Sequence, residues 1–148
     1  MDEHPAEVVV RLTADCPLID PDVVDAVVMR HLESGADYTS NVIERTFPRG
    51  LDCEAFTPSV LRDLYASGMS DYEKEHVTVG IYSRPEKYRL ENVAGTVDHS
   101  DLRWTVDTPE DFEFAKWVYD NLEGSLFTTA DILELLAAHP EKNHLEPA

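Results

Sequence analysis

The stretch Val8-Val9-Val10-Arg11-Leu12-Thr13-Ala14-Asp15-Cys16-Pro17-Leu18-Ile19-Asp20-Pro21 decides the reading of the fold. Its β-branched apolar run predicts a buried strand over residues 7 to 13, because such side chains pack well on a pleated surface. The run is nearly continuous, the sign of a strand covered on both faces. A helix start follows at once, with Asp20 as N-cap, Pro21 at the first helical position and Asp22 in the first turn. Asp15 therefore falls at the carboxyl end of the strand. In open α/β sheets ligands bind at that edge, where strand ends and loop mouths converge.

Leu102-Arg103-Trp104-Thr105-Val106-Asp107-Thr108-Pro109-Glu110-Asp111-Phe112 repeats the arrangement. A short strand over residues 102 to 106 ends in Asp107, and Thr108-Pro109 opens a helix. Two strand-end carboxylates meeting over one sheet edge would suit Mg²⁺, which commonly takes one or two protein carboxylates and completes its shell with water and phosphate oxygens. Taken singly, Asp15 and Asp107 read equally well as turn or helix-start carboxylates.

The chain has 148 residues, enough for one domain with a substantial core, and 43% of them are apolar. Thirty acidic residues against twelve basic ones give a formal charge of -18. Such a field opposes nucleic acid and anionic membranes, and a phosphate ligand would need metal, backbone N–H groups or clustered arginines to overcome it. Cys16 and Cys53 form no CxxC pair and no secretory or membrane-spanning segment stands near the start, so a reduced, cytoplasmic setting is expected. Both cysteines read as small buried residues.

A helix over 21 to 34 places Val24, Val27, Val28 and Leu32 on one stripe and closes at Gly35, with His31 at the boundary. Asp37 to Ile43 reads as a second strand. Leu51-Asp52-Cys53-Glu54-Ala55-Phe56 alternates with a period of two, marking a half-buried strand with Asp52 and Glu54 on its polar face. Thr57-Pro58 starts a helix with Val60, Leu61, Leu64 and Tyr65 inward, and a further helix is predicted over 71 to 83, stopped by Pro85. Tyr88 to Val93 is another strand. The helix from Thr108 has Phe112, Ala115, Trp117, Val118, Tyr119 and Leu122 as its buried side, and a last one over 129 to 138 buries Ile132, Leu133, Leu135 and Leu136. Residues 139 to 148 are expected to fray. Alternating strands and helices predict a single α/β domain over 1–148 with a mostly parallel sheet, the strand near 51 to 56 being the expected antiparallel departure.

Leu12 to Pro21 resembles the cytidylyltransferases that activate acidic sugars, the acylneuraminate and Kdo types, and their spore coat polysaccharide branch most of all. Asp37-Tyr38-Thr39-Ser40-Asn41, Pro48-Arg49-Gly50-Leu51-Asp52-Cys53-Glu54, Glu75-His76-Val77-Thr78 and Leu102 to Asp111 match that branch in the same order. The resemblance implies a Rossmann-like nucleotidyltransferase sheet of the nucleotide-diphospho-sugar transferase kind. It implies a reaction joining a hydroxyl of a sugar, expected to be acidic, to the α-phosphate of CTP, with Asp15 and Asp107 as catalytic Mg²⁺ ligands. Arg49, Asp52 and Glu54 then face the acceptor sugar, an arginine fork suiting a carboxylate and acidic side chains accepting from hydroxyls. Residues of an exposed hairpin or dimer contact would look the same. Glu75 and His76 are candidate substrate-binding residues, although successive helix positions point about 100° apart; a buried histidine bonded to a carbonyl is the plainer reading of His76.

Family members begin with a strand and a Gly/Arg/Lys loop that grips the nucleotide, and no GxGxxG, GxxxxGK or basic loop occurs here. The chain thus looks like the carboxyl-terminal part of such an enzyme, its sheet incomplete at the N-terminus, with little transfer activity expected by itself. An exposed strand edge leads to the expectation of a homodimer or a complementing N-terminal segment, which a monodisperse monomer in solution would contradict. The alternative from a different class is a non-catalytic module on the same scaffold that binds sugar phosphates or proteins.

Overall fold

The computed structural model describes residues 6–124 and 126–145. Among them four short strands, β1 (Val9–Arg11), β2 (Tyr38–Ser40), β3 (Glu54–Phe56) and β4 (Leu90–Asn92), form one sheet in the order β1-β3-β2-β4. β3 pairs antiparallel with both β1 and β2, whereas β2 and β4 are parallel. Three strands thus share one direction, and the reversal falls on the strand for which the alternating sequence predicts it. Because β3 is inserted between β1 and β2, only one of the three pairings is parallel.

Helix α1 (Pro21–Ser34) lies over one face of the sheet, where Val27, Cys53 and Ala55 pack together. Helices α2 (Pro58–Ala66), α3 (Asp71–His76) and α4 (Val79–Tyr82) belong to the other side, where Tyr38, Phe56, Val60, Leu64, Ile81 and Tyr88 form a second core. A third core joins α5 (Pro109–Asn121) and α6 (Thr129–Ala138) to Leu18, Leu51, Leu102 and Trp104. Full burial of each large apolar side chain contributes about 1.5–3 kcal/mol, so these three clusters hold the layers together.

The predicted helix starts are present. The Asp20 carboxylate accepts from the Asp22 amide at 2.8 Å. Its second oxygen accepts from the Thr129 amide and hydroxyl, both at 2.6 Å. One buried carboxylate therefore serves the N-termini of α1 and α6 together. Gly35 closes α1 with φ 59° and donates to the His31 carbonyl at 3.0 Å.

Several expectations are corrected. β1 is an edge strand of three residues, and Val10 is 40% exposed, because only β3 flanks it among the described strands. β3 is buried on both faces rather than half-exposed, since β1 and β2 flank it and helices cover it above and below. The buried stripe of α1 is Val23, Val27 and His31, and Leu32 is 56% exposed. His31 is inside because its Nδ1 meets the Thr39 hydroxyl at 3.0 Å; burial pushes its pKa down, against a smaller opposing pull from Asp37. Tyr65 and, on α5, Phe112 and Tyr119 face solvent, and Phe114 takes the buried place.

Residues 102–106 make isolated bridges, Arg49 with Arg103 and Leu102 with Leu145, instead of a regular strand. After α6 the chain makes a 3₁₀ turn over Pro140–Lys142 and pairs through Leu145 with Leu102, contacts that a frayed tail would lack. The Arg103 amide donates to the His144 carbonyl at 2.8 Å, and residues 146–148 lie outside the described residues.

The helix predicted over 71 to 83 is broken between α3 and α4. Val77 has φ 46° and ψ -63°, and the Thr78 amide donates to the His76 carbonyl at 2.5 Å. This is a γ-turn of the rare positive-φ kind, strained for a β-branched residue.

Candidate functional site

The reversed direction of β3 brings the site together. β1 and β2 present their carboxyl ends at one edge of the sheet, and an antiparallel β3 presents its amino end there. Arg11, Glu54, Ser40 and Asn92 stand in one row at that edge. The chain leaves β1 through Thr13 to Cys16, where the Cys16 amide donates to the Thr13 carbonyl at 3.2 Å, and then enters α1.

The two strand-end aspartates meet through the main chain. The Arg49 amide donates to the Leu102 carbonyl at 2.9 Å, and the Trp104 amide to the Arg49 carbonyl at 2.6 Å. Two residues later the Val106 amide donates to the Asp15 carbonyl at 2.8 Å. Asp107 thus follows directly on a hydrogen bond that ends at Asp15. The run is extended because Gly50, with φ 110°, lets it pass against the backbone of Trp104 and Thr105.

Asp107 is tethered by its neighbours. Its carboxylate accepts from Arg103 Nη2 at 2.7 Å while remaining 57% exposed. The same nitrogen donates to buried Asp111 Oδ2 at 2.9 Å. Asp111 Oδ2 also accepts from the amides of Asp107 and Thr108, both at 2.8 Å, and Oδ1 meets His144 Nε2 at 2.6 Å. Burial works to raise the Asp111 pKa, but the Asp107 amide, His144, the Thr108 amide and Arg103 together outweigh it and hold the carboxyl at about 2.

Beside this lip lies a cavity of about 520 Å³ whose lining includes Arg11, Tyr38, Arg45, Asp52, Glu54, His76, Thr78 and Tyr82. Glu54 is buried and satisfied: Tyr38 OH donates to Oε1 at 2.6 Å, Thr78 Oγ1 to the same oxygen at 2.5 Å, and Arg11 to Oε2. Burial and then Glu54 push the Tyr38 hydroxyl pKa well up, so it stays a donor. Asp52 takes a two-pronged bond from Arg45, 2.6 Å and 2.8 Å. Cys16 joins cavity and lip. Its thiol is pushed up by burial, opposed by a hydrogen bond with Thr13, and raised further by the nearby carboxylates of Asp15 and Asp52. Burial, with Glu54 adding to it, pushes the Cys53 thiol up to about 12, so neither sulfur is poised as a nucleophile.

His76 and Thr78 both line the cavity because of the turn at Val77. On an unbroken helix they would point about 200° apart. Glu75, still on α3, is exposed and outside the cavity lining.

Of the residues singled out by the sequence, Asp15 and Asp107 lie on segments that meet through the main chain, and Asp52, Glu54 and His76 line one cavity. Arg49 contributes main-chain bonds to the lip and its residue is exposed; Glu75 joins neither group. Glu54 is no exposed hairpin residue, because β3 is internal. Arg11, Tyr38, Arg45, Thr78 and Tyr82 escaped the sequence reading. Tyr38 and Thr78 stood inside matching stretches without a role, and Arg11 gave a signal of its own as an arginine inside an apolar strand, which calls for a carboxylate opposite it.

The donor set fits a Mg²⁺ ion that keeps water and phosphate oxygens in its shell. Asp15 and Asp107 could offer two hard oxygen ligands from segments that the Val106–Asp15 main-chain bond joins, and among the described residues no group of three or more His, Cys, Asp or Glu side chains could form an all-protein cage.

A sheet with helices on both faces, a lip of aspartates and an adjoining polar cavity define a Rossmann-like nucleotidyltransferase fold. A solved cytidylyltransferase from Leptospira borgpetersenii superposes with a TM-score of 0.89 at 32% identity, covering 96% of this chain and 60% of that one. The spore coat polysaccharide biosynthesis protein SpsF of Bacillus subtilis is 30% identical over 138 residues, 90% of this chain and 56% of that protein. An uncharacterised protein of Methanocaldococcus jannaschii is 27% identical over 142 residues, 93% of this chain and 56% of its own length. The cytidylyltransferase family pattern matches residues 1–137, and the chain belongs to that family. It spans 56% of the length of each of these curated relatives. No helix among the described residues is long and apolar enough to cross a membrane.

Proposed function

We propose that this chain carries the metal-binding and sugar-facing part of an enzyme that transfers CMP from CTP to a sugar in polysaccharide biosynthesis. A sugar hydroxyl oxygen bonds to the α-phosphorus, the bond from that phosphorus to the bridging oxygen breaks, pyrophosphate leaves, and the hydroxyl proton passes to solvent. Asp15 and Asp107 would hold Mg²⁺, which would supply positive charge to offset that of the phosphates. In a chain of net charge -18 this offset is needed before a triphosphate can approach. Arg103 and Asp111 orient Asp107, and the cavity holds the acceptor with its hydroxyl toward the lip. The observation that carries this reading is the 2.8 Å bond from the Val106 amide to the Asp15 carbonyl, which makes neighbours of two aspartates far apart in sequence.

A second reading, a binding module without catalysis, is favoured by the ion pair that Asp107 already makes with Arg103. Changing Asp15→Asn and Asp107→Asn together separates the two. Calorimetric titration with CTP, with Mg²⁺ and with chelator, is expected to show the metal-dependent part of the affinity falling about tenfold or more in the double variant. Affinity that is unchanged would remove the enzymatic reading and leave the module.

A further inference from the structure

The segment that follows α6 is fastened to the lip from two directions. Its main chain pairs with residues 102 and 103: the Arg103 amide donates to the His144 carbonyl at 2.8 Å, and Leu145 bridges Leu102. Its side chains lie along α5. The His144 ring stacks on Phe114, with centroids 5.4 Å apart and planes 13° from parallel, and His139 meets Trp117 edge-on at 5.6 Å. A ring held by its backbone on one side and by an aromatic face on the other has little freedom to turn.

From that position His144 Nε2 lies 2.6 Å from Asp111 Oδ1. The Asp111 carboxyl, held at about 2, is ionised at neutral pH and can only accept, so Nε2 carries the hydrogen. The two oxygens of Asp111 have different partners. Oδ2 takes the Asp107 and Thr108 amides at 2.8 Å each and Arg103 Nη2 at 2.9 Å, whereas the donor on Oδ1 is His144. The torsion that turns a carboxylate has only broad preferences of its own. A donor on Oδ1 therefore fixes the carboxylate plane, and with it the direction from which Oδ2 meets the guanidinium. Arg103 Nη2 also reaches Asp107 Oδ2 at 2.7 Å, and Asp107, more exposed than buried, has no close packing to hold it instead. A continuous series of contacts, His144 to Asp111 to Arg103 to Asp107, runs from the segment after α6 to the lip.

We propose that His144 is a positioning residue for the lip: its hydrogen bond to Asp111 Oδ1 fixes the carboxylate that, through Arg103, holds Asp107 where it can ligate a divalent cation. The inference rests on the reading of Asp15 and Asp107 as metal ligands. Groups that orient a ligand directly typically account for about 10–100-fold in metal affinity. His144 acts through two intervening side chains, so a smaller effect, about fivefold, is expected.

The test is titration of the full chain with Mn²⁺, which shares the preference of Mg²⁺ for oxygen ligands, followed by electron paramagnetic resonance. His144→Phe keeps a ring against Phe114 but removes the donor, whereas His144→Gln keeps a side-chain N–H able to reach Asp111. His144→Phe is expected to weaken Mn²⁺ binding about fivefold, and His144→Gln to stay within about twofold of the native chain. Native affinity in His144→Phe, or a loss in His144→Gln as large as in His144→Phe, overturns the proposal. A second measurement needs no substitution. Coupling between two sites is reciprocal, so Mg²⁺ added to the native chain should shift the His144 Nε2–H resonance in a ¹⁵N-histidine spectrum with the same midpoint as metal binding. A resonance that stays in place overturns the proposal even if His144→Phe does not fold. The double variant Asp15→Asn, Asp107→Asn tells the two readings apart: if the native chain binds Mn²⁺ no more tightly than that variant, the metal lip itself falls and the role of His144 with it.

Discussion

Gly50→Ala is expected to be among the most damaging single substitutions in this chain, lowering stability by about 3 kcal/mol or more. A Cβ at that position would stand 2.6 Å from the Trp104 carbonyl carbon and 2.8 Å from the Thr105 nitrogen, both backbone atoms that cannot swing aside. The φ of 110° adds a backbone cost that only glycine avoids. Relief of the clash must push residues 104–105 away from Arg49, which loosens the Trp104 and Val106 hydrogen bonds that seat Asp107 beside Asp15. Gly68→Ala is the matched control, because Gly68 has φ 84° but nothing within 4 Å of an added Cβ. Urea denaturation should show the Gly50 variant losing about 2 kcal/mol more than the Gly68 variant. Equal losses would mean that the close approach to Trp104 contributes nothing.

Asp111→Asn is expected to cost about 3 kcal/mol, from a change of one atom. The carboxylate receives two main-chain amides, Arg103 and His144, and an amide group has only one accepting oxygen to offer them. The pH dependence has a definite sign. The folded carboxyl, held at about 2, lies below its ordinary value of 3.8, so its contribution is complete above pH 4 and is lost as the pH falls towards 2. Across that interval it amounts to about 2 kcal/mol. Denaturation midpoints of the native chain should therefore fall more steeply between pH 4 and pH 2 than those of Asp111→Asn. Parallel slopes would show that this carboxyl is not the strongly held group its four partners imply. Because Asp111 fixes the Asp107 amide, the variant should also weaken metal-dependent CTP affinity at neutral pH, where it remains folded.

The start of each long helix was legible because its signals are local. Asp20-Pro21 and Thr108-Pro109 place a side-chain acceptor and a missing N–H at the positions where a helix needs them, and both caps are formed. The positions of Asp15 and Asp107 were legible for the same reason, each lying between a strand-like run and such a start. What escaped depends on neighbours distant in the chain. The alternation around Asp52 and Glu54 correctly marks two faces, but whether the polar face meets water depends on which strands flank it, and β1 and β2 both do. Glu54 is buried for that reason, and its partners Arg11, Tyr38 and Thr78 come from three other segments. The break at Val77 carried no glycine or proline to announce it. It is stabilised from outside, by the bond that Thr78 makes to Glu54. Asp111, four residues beyond Asp107, stands in the first turn of the predicted helix, but nothing local marks it as the anchor for Arg103 and His144.

The reversal of β3 bears on how such a protein can diversify. Residues 41–53 leave the sheet from the end of β2 and return to the start of β3 at the same edge, so both ends of this loop are anchored beside the cavity mouth. Residues can be added to or exchanged in such a loop without shifting the strand register. The cavity mouth can therefore be reshaped around Ile43 and Arg45, whereas Arg49 and Gly50, in the same loop, are tied to the segment that seats Asp107 and leave no such freedom.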